Sequence, residues 1–213
     1  IFVPTLSHGE ITVRSIRPRD SFTINRLLRD NRSWLQKWEA TVPGFEGPPP
    51  AREMIRNVLR LARRDQVAPF VIEYKGEVVG QITLSGLSFG SLASGAAGYW
   101  VSQSVAGRGV TPTALALVCD WAFTNLGIHR IEVCIRPEND ASLRVVRKLG
   151  FRYEGLRRRY IHIDGDWRDH FCFAVTIDEA LGGVLARIVR GTANESLADI
   201  PEVDRIAART PIR

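Results

Sequence analysis

A glycine-bearing turn precedes the most apolar segment of the chain. The stretch SQSVAGRGVTPTALALVCDWAF covers residues 102–123 and joins Gly107, Arg108 and Gly109 to a helical pattern. The free N–H groups and the positive end of the helix dipole at such a turn favour anions, phosphate above all. The glycines let the backbone approach a ligand, and Pro112 suits the first helical turn, where its missing N–H costs nothing. The turn therefore predicts a site for a phosphate-bearing ligand.

Two common phosphate-binding motifs do not match this turn. A dinucleotide-binding turn needs G-x-G-x-x-G, and Pro112 holds the place of the third glycine. The acidic residue expected after the next strand is missing, because Glu132 lies inside that strand. A P-loop needs Gly-Lys-Ser/Thr, which does not follow. The turn by itself leaves the ligand open.

The segments around the turn carry a family resemblance. The run GYWVSQSVAGRGVTPTALALVCDWAFTNLGIHRIEVCIRPENDASLRVVRKLGFRYEG, residues 98–155, resembles the core of GNAT acetyltransferases. It is most similar to the RimJ and RimL branch, which acetylates the N-termini of ribosomal proteins. The resemblance covers about residues 10–179, and GYWV before the turn with RPENDAS after it makes it specific. It implies acetyl-CoA as the co-substrate. No metal ion is expected, on the separate ground of residue spacing.

The resemblance implies a set of cofactor contacts. The strand at residues 100–102 would splay from its neighbour and pair its backbone with pantetheine, and one N–H there would polarise the thioester carbonyl. Asn139 would hydrogen-bond the pantetheine chain, although the same side chain is also a good N-cap for the next helix. The expected cofactor-binding residues are Trp100, Val101, Ser102, Gly107, Arg108, Gly109, Val110, Thr111, Thr113 and Asn139.

The turn departs from the family pattern at two of three positions. The pattern is Arg or Gln, two residues, Gly, one residue, then Gly or Ala, and here Ala106, Gly109 and Thr111 hold these places. Because backbone N–H groups hold most of the phosphate, Ala106 removes a side-chain contact without removing the site. The Thr111 hydroxyl could cap the helix or contact a phosphate. Coenzyme A binding is therefore still expected.

The resemblance also indicates a catalytic acid. Many GNAT enzymes use a tyrosine seven residues after the asparagine, but Val146 stands at that position. Ser142 lies one helical turn earlier on the same face, and in RimL-like relatives a serine here is the proposed acid. A serine in a first helical turn is otherwise ordinary. Ser142 is thus the expected catalytic residue on the strength of the resemblance.

The chain shows no obvious strong base before GYWV. Some relatives place a glutamate there, where this chain has Ala96 and Ala97. At pH 7 an α-amine of pKa near 8 costs about 1 kcal/mol to deprotonate, against about 4.6 kcal/mol for a lysine near 10.4. The sequence therefore favours a protein N-terminus as acceptor, with Glu73 or a water chain left to assist. Trp34 and Trp38 are candidates for the acceptor groove, and core packing is the competing explanation.

Residue types that bind metals occur without a metal-binding pattern. The stretch HIDGDWRDH, residues 162–170, falls in one predicted hairpin, where alternate side chains point to opposite faces. Cys119, Cys134 and Cys172 lie far apart in the sequence inside apolar runs, with neither metal nor disulfide spacing. They are expected to be buried thiols of a reducing compartment.

Composition and periodicity predict an α+β (mixed α/β) fold. The chain has 213 residues, 45% of them hydrophobic and 24% charged, which is enough for one globular core. Predicted strands lie at 10–16, 70–84 (two strands), 96–101, 129–135 and 151–175 (two strands). Predicted helices lie at 22–30, 33–38, 51–66, 111–126 and 139–150, with another after 176 that Gly182 and Gly183 weaken. The resemblance implies a GNAT fold, a twisted, mostly antiparallel sheet with a splayed parallel pair and helices on both faces.

The domain prediction is a single GNAT acetyltransferase domain at 1–190 and a tail at 191–213 that is mobile or forms an oligomer contact. The expected reaction moves acetyl from acetyl-CoA, by direct attack in a ternary complex, to the N-terminal α-amine of a protein, with a ribosomal protein as partner. The net charge of +6 permits rRNA nearby. We expect a cytoplasmic monomer or homodimer without a membrane span, because no apolar run reaches 18 residues.

Two other functions remain open from the sequence. The first is acetylation of a small-molecule amine, such as an antibiotic or a polyamine. The second is a non-catalytic acyl-CoA-binding, ribosome-associated factor. Ala106, Val146 and the missing glutamate favour this alternative, because each replaces a residue that active relatives use. The arginine-rich helix at 51–66 would then be its RNA contact.

Overall fold

The computed structural model describes residues 1–45 and 47–212. Within them, eight strands form one sheet in the order β1-β2-β3-β4-β5-β6-β8-β7. All neighbours are antiparallel except β5 and β6, which are parallel. This confirms the predicted mixed sheet with one parallel pair. The strands are β1 (Leu6–His8), β2 (Ile11–Ser15), β3 (Ala68–Tyr74), β4 (Glu77–Ser88), β5 (Ser94–Val101), β6 (Arg130–Ile135), β7 (Arg152–Ile163) and β8 (Asp166–Thr176).

Helices cover both faces of the sheet. Alternate residues of a strand face opposite ways, and β3 shows this directly: Val71 packs with α1 and α3, while Phe70 and Ile72 join the core around α4. The helix α4 is apolar all round and almost wholly buried, as a helix in the centre of a core must be. The helices are α1 (Ser21–Asp30), α2 (Arg32–Leu35), α3 (Ala51–Ala62), α4 (Val110–Asn125), α5 (Asp140–Lys148), α6 (Val184–Arg190) and α7 (Glu202–Arg209).

Two hairpins follow the predicted turn chemistry. Lys75 and Gly76 join β3 to β4, and Asp164 and Gly165 join β7 to β8. All four residues have positive φ, between 48° and 81°. Two-residue turns with positive φ match the right-handed twist of the strands they join, and Asp-Gly is a preferred pair for them.

Three local features add to the sequence predictions or differ from them. The sequence did not indicate β1, which pairs with β2 through a turn at Gly9. Asp20 precedes α1 but does not cap it with its side chain, because its carboxylate binds the Arg14 guanidinium at 3.0 Å and the Arg17 amide at 2.7 Å. The helix expected after residue 176 begins only at Val184, since Gly182 and Gly183 both have positive φ.

The C-terminal tail lies against the same sheet. Residues 195–198 form a 3₁₀ turn, and α7 packs on β7, where the Tyr153 hydroxyl donates to Asp204 at 2.6 Å. Arg158 donates to the Thr210 carbonyl at 2.6 Å. The structure therefore gives the tail intramolecular contacts, and its use between copies of the chain stays a prediction.

Candidate active site

The glycine turn adopts the conformation that an anion site requires. Gly107 and Gly109 both have φ of 76°, a left-handed conformation that glycine adopts without strain. Gly109 is the N-cap of α4, so Thr111 is the second residue of the helix and not its cap. The first N–H groups of a helix have no intrahelical partner, and those of Val110 and Thr111 are among them. The positive end of a 16-residue helix thus opens at this turn.

Strands β5 and β6 separate after a short parallel contact. They pair only from Ser94 to Ala96 on β5, so residues 97–101 have no partner on that side. Ser102 donates its amide to the Val79 carbonyl at 2.7 Å, and alternation along the strand directs the amides of Tyr99 and Val101 away from β4. The N–H that could polarise a thioester is therefore at Tyr99 or Val101. Ser102 differs from the expectation, because its amide is already used and its hydroxyl binds Asn31.

A cleft of about 650 Å³ connects the glycine turn, the open edge of β5 and the start of α5. Eight of the residues predicted to take part in binding or catalysis line it: Trp100, Val101, Gly107, Gly109, Val110, Thr111, Asn139 and Ser142. Three others do not border it, namely Ser102 and Thr113, which are buried, and Arg108, whose side chain is exposed. We call this cavity the cofactor cleft. Its lining agrees with the predicted cofactor path, and the individual roles stay predictions.

A tyrosine and a serine meet in the floor of the cofactor cleft. The Tyr99 hydroxyl lies 2.7 Å from the Ser142 hydroxyl. Asn139 caps α5 by accepting the Ser142 amide at 3.1 Å, as predicted, so its side-chain NH₂ remains able to donate. Burial raises the pKa of Tyr99, although the bond with Ser142 acts in the other direction. Tyr99 therefore stays protonated at neutral pH. Val146, which holds the position of the tyrosine used by many GNAT enzymes, is fully buried in the core.

A second cavity of about 500 Å³ lies on the α1–α3 side of the same strands, and we call it the acceptor cavity. It shares Leu35, Trp38, Tyr99, Trp100, Asn139 and Ser142 with the cofactor cleft. Trp38 borders both cavities, while Trp34 borders the cofactor cleft and donates its indole N–H to the Val101 carbonyl at 3.2 Å. A ligand in either cavity thus reaches the Tyr99–Ser142 pair, which is what direct transfer between two substrates requires.

A buried histidine lines the acceptor cavity. His170 is 3% exposed, and its Nδ1 lies 2.9 Å from the Arg168 carbonyl. Nδ1 therefore donates, which leaves Nε2 as an acceptor in the neutral ring. Burial lowers the pKa of His170 below its ordinary value, helped by the nearby charge of Arg136, while the bond to Arg168 and the charges of Asp169 and Glu138 act the other way. A neutral imidazole can accept a proton at physiological pH.

Other residues that the sequence offered as candidates are bound to different partners in the structure. Glu73 is held by Arg14, Oε1 to Nε 2.6 Å, and lies outside both cavities. The polar side chains of residues 162–170 do not converge, because each has its own partner: His162 bonds Thr41, Asp164 bonds Gln36, Asp166 bonds Arg159, Asp169 accepts from the Arg159 amide, and His170 bonds the Arg168 carbonyl.

One pair of cysteines does come together. Cys134 on β6 and Cys172 on β8 are direct partners in the ladder, and their Sγ atoms are 2.7 Å apart. The sequence did not show this, because 38 residues separate them and only the strand register makes them neighbours. Glu132 completes a group whose ligand atoms lie within 4.8 Å of one another. Its carboxylate, however, is bound by Arg157 at 2.6 Å, and this charge disfavours a cation.

Sequence reasoning missed several residues of the site. Tyr99 stood within the GYWV motif without a role, and His170 was considered only as a metal ligand. Arg144 and Lys148 line the cofactor cleft and add positive charge near the glycine turn. Their i, i+4 spacing on α5 places them on one helix face, which is the signal that could have identified them.

The fold and the two joined cavities define an acyl-CoA-type N-acyltransferase, and comparison with known proteins agrees. The model of the acetyltransferase (GNAT) domain matches residues 10–152. The structure of Mycobacterium smegmatis RimJ in complex with CoA-disulfide is 34% identical, with a TM-score of 0.80 over 89% of this chain and 92% of that one. The chain therefore belongs to the GNAT acetyltransferase family and is an acetyl-CoA-dependent N-acetyltransferase.

Two curated relatives extend the comparison. The [ribosomal protein uS5]-alanine N-acetyltransferase of Escherichia coli (strain K12) is 28% identical over 175 residues, which cover 80% of this chain and 90% of that protein. The probable N-acetyltransferase YjcK of Bacillus subtilis (strain 168) is 37% identical over 98 residues. That match covers 46% of this chain and 54% of YjcK, so this chain spans about half of that relative.

The helices give no sign of a membrane span. Among those in the described ranges, none combines the length and apolar character needed to cross a bilayer.

Proposed function

We propose that this enzyme acetylates the N-terminal α-amine of a protein, with a ribosomal protein as the substrate class. The observation that carries the proposal is the meeting of the cofactor cleft and the acceptor cavity at Tyr99 and Ser142. An acceptor cavity of about 500 Å³ has the size of a small-ligand site, so it suits the first residues of a chain. RimJ and the E. coli uS5-alanine enzyme support the substrate class, because this chain matches most of their length.

The glycine turn and α5 would hold the acetyl donor. The free amides at the start of α4 face the pyrophosphate, and Arg144 and Lys148 add charge beside it. The amide of Tyr99 or Val101 donates to the thioester carbonyl and stabilises the negative charge that develops there. Asn139 donates through its side-chain NH₂ to a carbonyl of the pantetheine arm. These contacts place the acetyl carbon at the boundary of the two cavities.

Ser142 and Tyr99 would supply the proton for the leaving thiolate. Ser142 borders both cavities and donates to the sulfur as it departs, while Tyr99 replaces that proton across their 2.7 Å contact. When the products leave, solvent that enters the cavities returns a proton to Tyr99 and takes one from His170, which restores the starting state. The acceptor amine attacks directly, so no covalent enzyme intermediate is needed. His170 would take the proton that the attacking nitrogen loses, since its Nε2 is free in the neutral ring.

The acceptor class can be tested by thiol release from acetyl-CoA. Peptides that begin with Ala or Ser should be acetylated, and the same peptides with blocked N-termini should not be, even when they contain an internal lysine. The α-amine is favoured because it costs about 3.3 kcal/mol less to deprotonate than lysine at pH 7. Efficient turnover of the blocked peptides, or of spermidine alone, would contradict the proposal. Acetyl-CoA binding without any turnover would instead support the non-catalytic factor.

The role of His170 predicts a specific pH profile. The wild-type kcat/KM should rise with pH as His170 loses its proton, with a midpoint below about 6.5. His170→Asn keeps a donor for the Arg168 carbonyl but removes the base. We expect it to lose that rise and about tenfold of kcat/KM at pH 7, a modest loss because an α-amine is already partly neutral there. A variant profile that keeps the same acid limb would show that His170 is structural.

A further inference from the structure

The pair Cys134 and Cys172 has the geometry of a dithiol that can close to a disulfide. Directly opposite residues of antiparallel strands have Cα atoms about 4.5–5.5 Å apart. A disulfide needs about 4.4–6.8 Å between Cα atoms, so the ladder already satisfies it. Closing the bond would therefore require side-chain rotation without a backbone shift. The third cysteine, Cys119, is fully buried in α4 and offers a matched control.

The surroundings of the pair favour a thiolate. The Arg157 guanidinium lies 3.7 Å from Cys134 Sγ and is anchored on Glu132 at 2.6 Å. The hydrogen bond from Cys134 lowers the pKa of Cys172, and the charge of Arg157 acts in the same direction against burial. The same hydrogen bond, together with burial, raises the pKa of Cys134, so in the resting pair the shared proton lies on Cys134 and the negative charge on Cys172.

The two thiols differ in access. Cys134 borders the acceptor cavity, whereas Cys172, its neighbour on β8, is 3% exposed and does not border it. A reagent in the cavity therefore meets Cys134 first, and Cys172 is placed to act second. This division into an attacking and a resolving thiol is what thiol–disulfide exchange requires.

We propose that Cys134 and Cys172 form a thiol–disulfide exchange site in the wall of the acceptor cavity, which reacts with low-molecular-weight disulfides. A proton shift from Cys134 to Cys172 across their 2.7 Å contact gives the Cys134 thiolate. It attacks one sulfur of the small disulfide, which forms a Cys134 mixed disulfide and releases one small thiolate. That thiolate takes the proton of Cys172. The Cys172 thiolate then attacks the Cys134 sulfur and releases the second small thiolate, which takes a proton from solvent. In total the dithiol loses two electrons and the small disulfide becomes two thiols.

The site has a consequence for acetyl transfer. A group attached to Cys134 occupies the cavity that the acceptor amine must enter. The mixed disulfide should therefore block transfer, and attack by Cys172 should free the cavity again. The internal disulfide that results joins two strands already paired, so it leaves the cavity open.

The reduced full chain can be tested with glutathione disulfide and, separately, with CoA disulfide. The wild type should release two small thiols per chain and lose two hydrogens by intact mass. Cys172→Ser should stop at a mixed disulfide on Cys134, lose acetyl transfer, and recover it with reductant. Cys134→Ser should react slower by about tenfold or more, and Cys119→Ser should behave as the wild type. Acetyl-CoA binding checks that each variant is folded.

The outcomes separate clearly. Equal reaction rates with the two reagents support a site that recognises only the disulfide bond. A faster reaction with CoA disulfide, inhibited by acetyl-CoA, supports a site that also uses the cofactor cleft. An adduct on Cys119, or wild-type rates in Cys134→Ser and Cys134→Ala, would overturn the proposal. Peptide acetylation is measured separately, under reducing conditions. Its failure would contradict the proposed function but not the thiol–disulfide exchange site.

Discussion

Replacing Ser142 with alanine should lower kcat by about 10²–10⁴-fold, the usual contribution of a positioned general acid. The leaving thiolate would lose its proton donor, while the amides of the glycine turn would keep their hold on the cofactor. The Kd for acetyl-CoA should therefore stay unchanged. Single-turnover kinetics and equilibrium binding on the same preparation measure the two quantities separately. An unchanged kcat would remove Ser142 from the mechanism.

Two further variants make the result specific. Tyr99→Phe removes the hydroxyl 2.7 Å from Ser142 and should also reduce kcat, because the serine then lacks the group that restores its proton. The effects of Ser142→Ala and Tyr99→Phe should be less than additive, since both act on one relay. Ser196→Ala is a matched control, because Asn194 caps the Ser196 amide just as Asn139 caps that of Ser142, and it lies on the surface. It should leave kcat unchanged.

The local features of the fold could be predicted because their causes lie within a few residues. The Asp164–Gly165 turn and the start of α4 at Gly109 each depend on residues with positive φ, and the residue types at these positions favour that conformation. The helix α6 begins later than predicted, after two glycines that favour a loop. Its first amide, that of Val184, donates to Asp120 on α4 at 2.6 Å, so a residue distant in the sequence caps this helix. That contact spans 64 residues and leaves no local pattern.

The chemistry of the site was only partly predictable for the same reason. Ser142 and Asn139 fall within one short motif, so resemblance could point to both. Tyr99 on β5 reaches Ser142 on α5 across 43 residues through the tertiary fold, and strand register brings Cys134 to Cys172 across 38 residues. The role proposed for His170 rests on its burial and on the hydrogen bond of its Nδ1, which no spacing in the sequence reveals. The sequence thus indicated the cofactor side better than the acceptor side.

Gly80→Ala should damage both the stability of the enzyme and its cofactor cleft. Gly80 on β4 faces Val101 on β5, and a Cβ there would overlap the Trp100 carbonyl oxygen and lie 2.9 Å from Val101 Cα. These are backbone atoms, so no side-chain rotation relieves the overlap. We expect the free energy of unfolding to fall by about 1–3 kcal/mol, as in other overpacked sites. Urea denaturation measures this loss.

The same substitution should weaken acetyl-CoA binding, because β5 must shift where its open edge borders the cofactor cleft. Losing one backbone hydrogen bond, worth about 0.5–1.5 kcal/mol, corresponds to about two- to tenfold in Kd. Gly98→Ala is the matched control on the neighbouring strand, since its Cβ would meet nothing within 4 Å. It should keep both stability and cofactor affinity, and because Gly98 borders the acceptor cavity, any change should appear in the KM for the peptide. Wild-type stability and Kd in Gly80→Ala would mean that β4 and β5 can separate without cost, which would contradict a cleft built on their close approach.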